Sequence, residues 1–214
     1  MRLTRQAIGT RQGGATLIEF ALALILGVLP LVLGILQIGA LLVARNTLEL
    51  AAFLAARHGA LVGAEPAAMT RELARGLVPL YVRASRDGVV PPAELAAAYA
   101  AAVADVTAFD SLEIRNPTHA ELDRFGVLRK GRRVIPNDYI ERRAPEVQRA
   151  NVLTLEITHC QPLVVPLAGP ALAAAWGIID PDPQHQRCLA AGRSPIRARA
   201  SVVMQSDVQG GALR

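Results

Sequence analysis

A lone carboxylate lies near the start of a long apolar run, where it needs a partner that neutralises its charge. Glu19 lies near the start of the run Leu17–Ala44, in which Gln37 is the only other strongly polar side chain. An ionised carboxylate inside a bilayer or a helix bundle is costly unless a partner neutralises it. A charged residue within a membrane-spanning segment is therefore a functional hypothesis by default.

The apolar run is long enough to cross a bilayer. It holds about 25 to 28 residues, or roughly 40 Å at about 1.5 Å per residue, which exceeds the apolar core of a cleaved signal peptide. Arg2, Arg5 and Arg11 precede it, with no acid before Glu19, so the N-terminus is expected to stay in the cytoplasm while the rest is translocated. A plain signal anchor is the simpler interpretation, but such an anchor has no use for a carboxylate at this position.

The start of the chain resembles the processing site of type IV pilin-like proteins. It has a basic leader containing Arg11, then Gly14, four further residues and a Glu-Phe pair. The resemblance implies cleavage after Gly14 by an aspartyl prepilin peptidase, with Ala15 as the new N-terminus. Glycine there lets the backbone enter a narrow cleft in an extended form. Glu19 and Phe20 match the family's acidic and aromatic pair. The freed amine of Ala15 would neutralise Glu19, either within one helix, at i and i+4, or between neighbouring subunits.

A second match lies at the end of the apolar run. Ala44-Arg45-Asn46 resembles the Ala-Arg-Asn of the TadE-like minor pilins of tight-adherence (Flp) systems. At 214 residues the chain is far longer than the major Flp pilins, so the resemblance implies a minor pilin or pseudopilin that assists pilus assembly. The implied partners are the prepilin peptidase, other pilins or minor pilins, the inner-membrane assembly platform and the membrane.

The implied location is the inner (cytoplasmic) membrane, crossed once, with the N-terminus cytoplasmic and the globular domain periplasmic. Incorporation into the extracellular pilus stays open. The alternative is an uncleaved, single-pass membrane protein that serves as a periplasmic binding or scaffold protein.

The chain divides into four parts. Residues 1–14 form a leader, 15–61 one long helix that spans the membrane at about 17–44, 62–209 a globular domain and 210–214 a flexible tail. The fold predicted is α+β and pilin-like: a long N-terminal transmembrane helix packed on a small antiparallel sheet, with additional helices. From Arg45 onward this helix becomes amphipathic. Its packed face is expected to hold the following residues: Leu48, Ala51, Ala52, Ala55, Ala56 and Gly59.

Periodicity predicts the elements of the domain. Period-two alternation predicts strands at 111–115, 152–158 and 196–205, with the last two as antiparallel partners. Residues 117–151 are polar and less regular. Helices are predicted from Pro66 despite Pro79, at 92–106 with Leu95 on the apolar side, at 120–125 and at 171–178.

Pro30 interrupts the membrane half of the helix, flanked by Gly27, Gly34 and Gly39. Membrane helices tolerate proline and glycine, and glycines permit close helix contacts. Alternatively, this segment bends or partly melts when the subunit leaves the bilayer for a filament.

Cys160 and Cys188 are the only cysteines and lie in the translocated part. An isolated pair in an oxidising compartment predicts one disulfide, which would stabilise the fold by roughly 3–4 kcal/mol in the chain-entropy model. A metal site built from these cysteines with His159 and His185 is disfavoured, because adjacent strand residues such as His159 and Cys160 point to opposite faces.

No motif in the sequence predicts catalysis or a cofactor, so a non-enzymatic protein is expected. Aromatic residues make up 4% of the chain, which leaves little for base stacking, and no nucleic-acid partner is expected. The basic cluster Arg129–Arg133 is either a solvated loop or a contact surface for acidic lipid headgroups or an acidic partner.

Overall fold

The computed structural model describes residues 15–83, 88–138 and 144–213. Its architecture is α+β, as predicted: a long N-terminal helix carries further helices and two small antiparallel sheets. The helices after the first are α3 (Pro66–Leu77), α4 (Pro92–Phe109), α5 (His119–Phe125), α6 (Pro145–Ala150), α7 (Ala168–Ile179) and α8 (Pro183–Ala190). The strands are β1 (Ser111–Asn116), β2 (Val127–Arg129), β3 (Arg132–Ile135), β4 (Val152–Pro162), β5 (Arg193–Val203) and β6 (Val208–Gln209).

The N-terminal helix is continuous but not regular. A π-helical turn interrupts it directly before Pro30, where the Leu29 N–H bonds to the carbonyl of Leu24, five residues back. Proline has no N–H to offer, and a local π adjustment is a common way for a helix to accommodate it. The three consecutive pieces are α1 (Ala15–Ala23), the π turn (Leu24–Val28) and α2 (Leu29–Leu61).

The larger sheet has the order β1-β4-β5, with both pairs antiparallel. The predicted pairing of the two long strands is confirmed: Leu153 lies opposite Val202, and Leu155 opposite Ala200. Leu153, Leu155 and Ile157 are fully buried on one face of β4, because alternate side chains of a strand share a face.

The buried face of this sheet and α3 pack against α2. The predicted packed face of the helix is confirmed, since Leu48, Ala51, Ala52, Ala55, Ala56 and Gly59 are all buried. Small residues allow close approach: a Cβ added at Gly76 of α3 would lie 2.5 Å from Ala51 Cβ and 2.6 Å from Ala51 Cα. The core is therefore held together by close contacts along an alanine-rich helix.

A second sheet, of order β2-β3-β6, was not predicted, because β2 and β3 lie in the segment taken as irregular and β6 is only two residues long. The basic cluster forms a tight hairpin rather than a loop. Lys130 and Gly131 have φ values of 50° and 75°, as the two central residues of a type I′ turn require. Arg129 pairs with Asp207 at 2.8 Å, and Arg133 donates to the Asp123 carbonyl at 2.8 Å.

Three further expectations are wrong. Residues 210–213 are not a flexible tail, because Gly210–Ala212 form a 3-10 turn and Ala212 and Leu213 are buried in the core. The helix that begins at Pro66 stops at Leu77 and continues only as a 3-10 turn. Leu95 is 51% exposed, because α4 buries Ala98, Ala102 and Val106 instead.

The contact between α2 and α3 gives a stability prediction. We expect Gly76→Ala to lower the free energy of unfolding by about 1–3 kcal/mol, because the added methyl group has no room beside Ala51. The matched control is Gly177→Ala in α7, where an added Cβ meets nothing within 4 Å. That change should be neutral or stabilise by up to about 1 kcal/mol through helix propensity.

Chemical denaturation of the detergent-solubilised variants, followed by far-ultraviolet circular dichroism, makes the comparison. Equal stability of the two alanine variants would show that α2 and α3 pack less closely than described.

Candidate functional site

The first half of the N-terminal helix presents a continuous apolar surface. Between Leu17 and Val43 almost every large apolar side chain is exposed, whereas the small residues from Ala44 onward are buried. The most apolar window of the helix Leu17–Leu61 has a mean hydropathy of 2.6 and is only 6% buried. An exposed apolar surface of this length fits a single-pass membrane anchor.

Glu19 and Phe20 both lie on this exposed surface. Glu19 has no hydrogen-bond or ion-pair partner among the residues that the structure describes. Gly14 lies outside the described residues, and the helix begins at Ala15. Positions 15 and 19 are one helical turn apart, so the expected pairing between the Ala15 amine and Glu19 stays a prediction that the helix geometry permits.

Gln37, the second polar residue of the apolar run, is used inside the fold. Its side chain is 1% exposed, and its Oε1 accepts a hydrogen bond from the Val165 backbone N–H at 3.0 Å. Its Nε2 is buried and has no partner in the described part of the chain. No local sequence pattern indicated this contact, because the partner is a backbone group 128 positions away in a proline-rich segment.

The expected disulfide joins Cys160 to Cys188 and ties β4 to α8. His159, weighed above as a metal ligand, lies on the buried face of β4, and its Nδ1 is 2.7 Å from Asp110 Oδ2. Burial raises the pKa of Asp110, although its hydrogen bond with His159 acts in the opposite direction. The second candidate ligand, His185, contacts Asp180. Both histidines are therefore engaged by aspartates that sequence reasoning did not pair with them.

A second polar cluster lies close to the disulfide. Arg193 of β5 donates two hydrogen bonds to Asp105 of α4, at 2.8 and 3.1 Å, and the Tyr81 hydroxyl donates a third at 2.9 Å. The Arg193 guanidinium also lies 4.1 Å above the Phe109 ring and donates to the Cys160 carbonyl at 3.1 Å. This cluster fixes the end of α4 against the strand that carries the disulfide.

The pKa values of the cluster follow from these contacts. Burial alone would raise the pKa of Asp105, but the hydrogen bonds from Arg193 and Tyr81 outweigh it and hold the pKa below its ordinary value of 3.8. Burial and the hydrogen bond to Asp105 raise the pKa of Tyr81. The carboxylate and the neutral phenol are therefore the forms that the fold stabilises.

The fold is α+β with one long, exposed apolar N-terminal helix, which fits a single-pass membrane anchor. Residues 14–57 match the family model described as TadE-like protein, and the resemblance seen at Gly14, Glu19 and Ala44 is thereby confirmed. The matched part covers the helix as far as Arg57, and the domain from α3 to β6 lies beyond it. Neither curated proteins nor solved structures give a significant match.

Over residues 14–57, which are less than half of the chain, the protein is similar to TadE-like proteins, and this similarity suggests an association with a tight-adherence pilus. The matched segment includes both the exposed apolar half of the helix and most of the half that packs on the domain, from Ala44 to Arg57.

The Asp105 cluster gives a pH-dependent prediction. We expect Asp105→Asn to lower the free energy of unfolding by about 1–3 kcal/mol at neutral pH, because Arg193 loses a charged acceptor. The folded pKa of Asp105 lies below the unfolded value, so this stabilisation is fully present above about pH 3.8. It is lost as the pH falls through the folded value, and the two proteins should then converge.

Denaturant titrations of the wild type and of Asp105→Asn at several pH values make the measurement. Asp123→Asn is the control, because its ion pair with Arg133 is exposed and contributes little. A gap between wild type and Asp105→Asn that stays constant down to the lowest pH would contradict the role given to the charged carboxylate.

Proposed function

We propose that this protein is a minor pilin or pseudopilin that assists assembly of a tight-adherence (Flp) type IV pilus by priming, capping or membrane-side scaffolding. The role is structural, with no catalysis. The observation that carries the proposal is Glu19: one carboxylate, exposed on an apolar helix, five residues after a glycine. A helix that simply anchors the domain would not need it.

The chemistry of Glu19 is completed by processing. Cleavage after Gly14 by a prepilin peptidase would give Ala15 a free amine, and the amine and the carboxylate would neutralise each other. Pairing between two subunits would fix the axial register of neighbouring helices. Pairing within one helix would lower the cost of keeping the carboxylate in lipid. Both forms of pairing are available to a helix that begins at Ala15.

The exported domain agrees with this assignment. Its disulfide favours an oxidising compartment, which is the periplasm if the arginine-rich leader stays inside. The packed half of α2 lies within the domain core, so the domain follows the helix wherever the helix is assembled. A domain of this size makes the chain a minor component rather than the main filament subunit.

The processing step predicts the N-terminus of the mature protein. Mass spectrometry of protein purified from cells that contain the cognate peptidase should find Ala15 as the first residue. Protein from peptidase-deficient cells is the control and should keep the leader. An intact leader in both strains would remove the processing claim and favour the alternative, an uncleaved membrane-anchored scaffold or binding protein of the periplasm.

The pairing step predicts the effect of removing the carboxylate. Glu19→Ala should leave cleavage largely intact and reduce piliation severalfold, because the freed amine then lacks its partner. Glu49→Ala is the matched control: this exposed carboxylate lies on the same helix, pairs only with Arg45, at 3.2 Å, among the described residues, and should have little effect. Electron microscopy and immunoblots of sheared pili measure the outcome. Normal piliation with Glu19→Ala would refute the pairing.

A further inference from the structure

The segment 163–179 is a long apolar part of the domain to which the proposed function assigns no role. These 17 residues carry no charged side chain, and α7, which makes up most of the segment, has Gly169 as its only buried residue. Ile178 is 88% exposed and Leu167 is 70% exposed. An apolar helix of this length is normally a buried core helix or an interfacial segment. The domain does not bury α7, so the second case fits.

The position of α7 indicates what covers it. Leu167, Ala168 and Ala171 line one groove with Pro30 and Gly34, in the membrane half of the N-terminal helix. Trp176, about two turns of helix after Ala168, lines a groove with Leu41, Leu42 and Arg45. The chain therefore descends beside α2 towards Pro30, and α7 returns in the same direction as α2. The exposed apolar surface of the anchor continues directly onto α7.

We propose that residues 163–179 form a second membrane-contacting element, which lies in the outer leaflet beside α2, with lipid acyl chains as its occupant. This inference rests on the proposed membrane anchoring of the N-terminal helix. The segment would be a re-entrant apolar excursion of the periplasmic domain, and the protein would then meet the bilayer through two elements.

The buried Gln37 amide supports a lipid environment for this segment. A backbone N–H in hydrocarbon costs several kcal/mol when it has no acceptor. The descending, non-helical part of the segment would present such groups, and Gln37 Oε1 accepts the hydrogen bond of one of them, the Val165 N–H. Pro166 and Pro170 have no N–H to satisfy. Gln37 is the only polar side chain of the apolar run that contacts segment 163–179 among the described residues, and it accepts a backbone hydrogen bond of that segment.

The depth of the segment is consistent with an interfacial position. A hydrocarbon core of about 30 Å takes about 20 helical residues, which places the outer boundary near Gln37 when counted from Leu17. Contacts with Gly34 and Pro30 then put the tip of the segment roughly 5–10 Å below that boundary, as in other interfacial helices. Trp176 falls near the headgroups, where tryptophan is enriched in membrane proteins.

Trp176 is the only tryptophan in the chain and reports directly on this position. The full-length protein is reconstituted into phosphatidylcholine vesicles with or without lipids brominated on their acyl chains, and its fluorescence is also titrated with iodide. Because Trp176 lies at the level of Leu41 and Leu42, near the headgroups, we expect lipid brominated near the headgroup end of its acyl chains to quench the Trp176 emission more than lipid brominated near the chain ends, while iodide quenches it less than a probe in water.

Two variants calibrate the measurement. Trp176→Phe with Leu22→Trp places the probe on the anchor helix, where Leu22 is 50% exposed, and should be quenched by brominated lipid. Trp176→Phe with Leu128→Trp places it at the 79% exposed hairpin of the domain and should be quenched by iodide alone.

Each other result has a definite meaning. A Trp176 quenched by iodide and not by lipid, beside a lipid-quenched Leu22 probe, would overturn the inference and leave the anchor intact. A Trp176 shielded from both quenchers would also overturn it, because lipid acyl chains would then not be what covers α7. A Leu22 probe that escapes brominated lipid would refute the membrane anchor itself, and with it the proposed function.

Discussion

One unbroken helix must satisfy two different surroundings, and the rest of the structure follows from that constraint. Up to Val43 most of its side chains are large, apolar and exposed, with Gln37 and Leu41 as buried exceptions, whereas from Ala44 one face of the helix, made mostly of small residues, is buried against the sheet and α3. The change occurs inside α2, without a hinge. Any tilt or rotation of the membrane half is therefore transmitted to the sheet, because the domain core is built on the same helix. The domain cannot turn independently of its anchor unless α2 breaks.

The small residues of the packed half decide how the domain attaches. Alanines bury little apolar area each, so their stabilisation comes from the bulky partners that they admit, such as Met69, Leu153 and Leu155. A Cβ added at Gly59 would lie 2.5 Å from the sulfur of Met69, which shows how closely α3 covers the helix. Dispersion contacts at such short range are numerous and are lost together if the helix shifts. Close packing thus makes the attachment rigid as well as stable.

The parts of the fold that the sequence predicted are those with a long local pattern. β4 and β5 alternate over many residues with one buried face, so their existence and pairing were both evident. The second sheet has strands of two to four residues, too short for any periodicity, and the charges of Arg129, Arg132 and Arg133 concealed a hairpin. Gly210 and Gly211 suggested a loose end, yet Leu213 returns to the core through contacts that no local pattern encodes.

The residues of the candidate site also differ in whether a local sequence pattern could reveal them. Glu19 could be singled out from the sequence because a lone carboxylate contrasts with its apolar neighbours. The partner of Gln37 could not, because it is a backbone N–H brought close only by the path of the 163–167 segment. Asp105 and Asp110 were equally hidden, since an aspartate near the end of a helix usually faces water. Their partners Arg193 and His159 lie on distant strands that only the folded sheet brings together.

These polar contacts and the disulfide hold the two chain ends that flank the segment 163–179 against the domain. The apolar side chains of the segment itself stay exposed. Cys160 and Cys188 join these two ends, and Arg193 and His159 fix the two strands to the end of α4. The segment thus keeps its place beside Pro30 without being buried by its own domain. With the lipid contact proposed for residues 163–179, uptake of the subunit by a filament would require this segment and the N-terminal helix to leave lipid together and to find apolar surfaces on neighbouring subunits. The free energy of extracting the subunit from the bilayer would then depend on both the N-terminal helix and the segment 163–179. Release would be favourable only when neighbouring subunits cover both apolar surfaces.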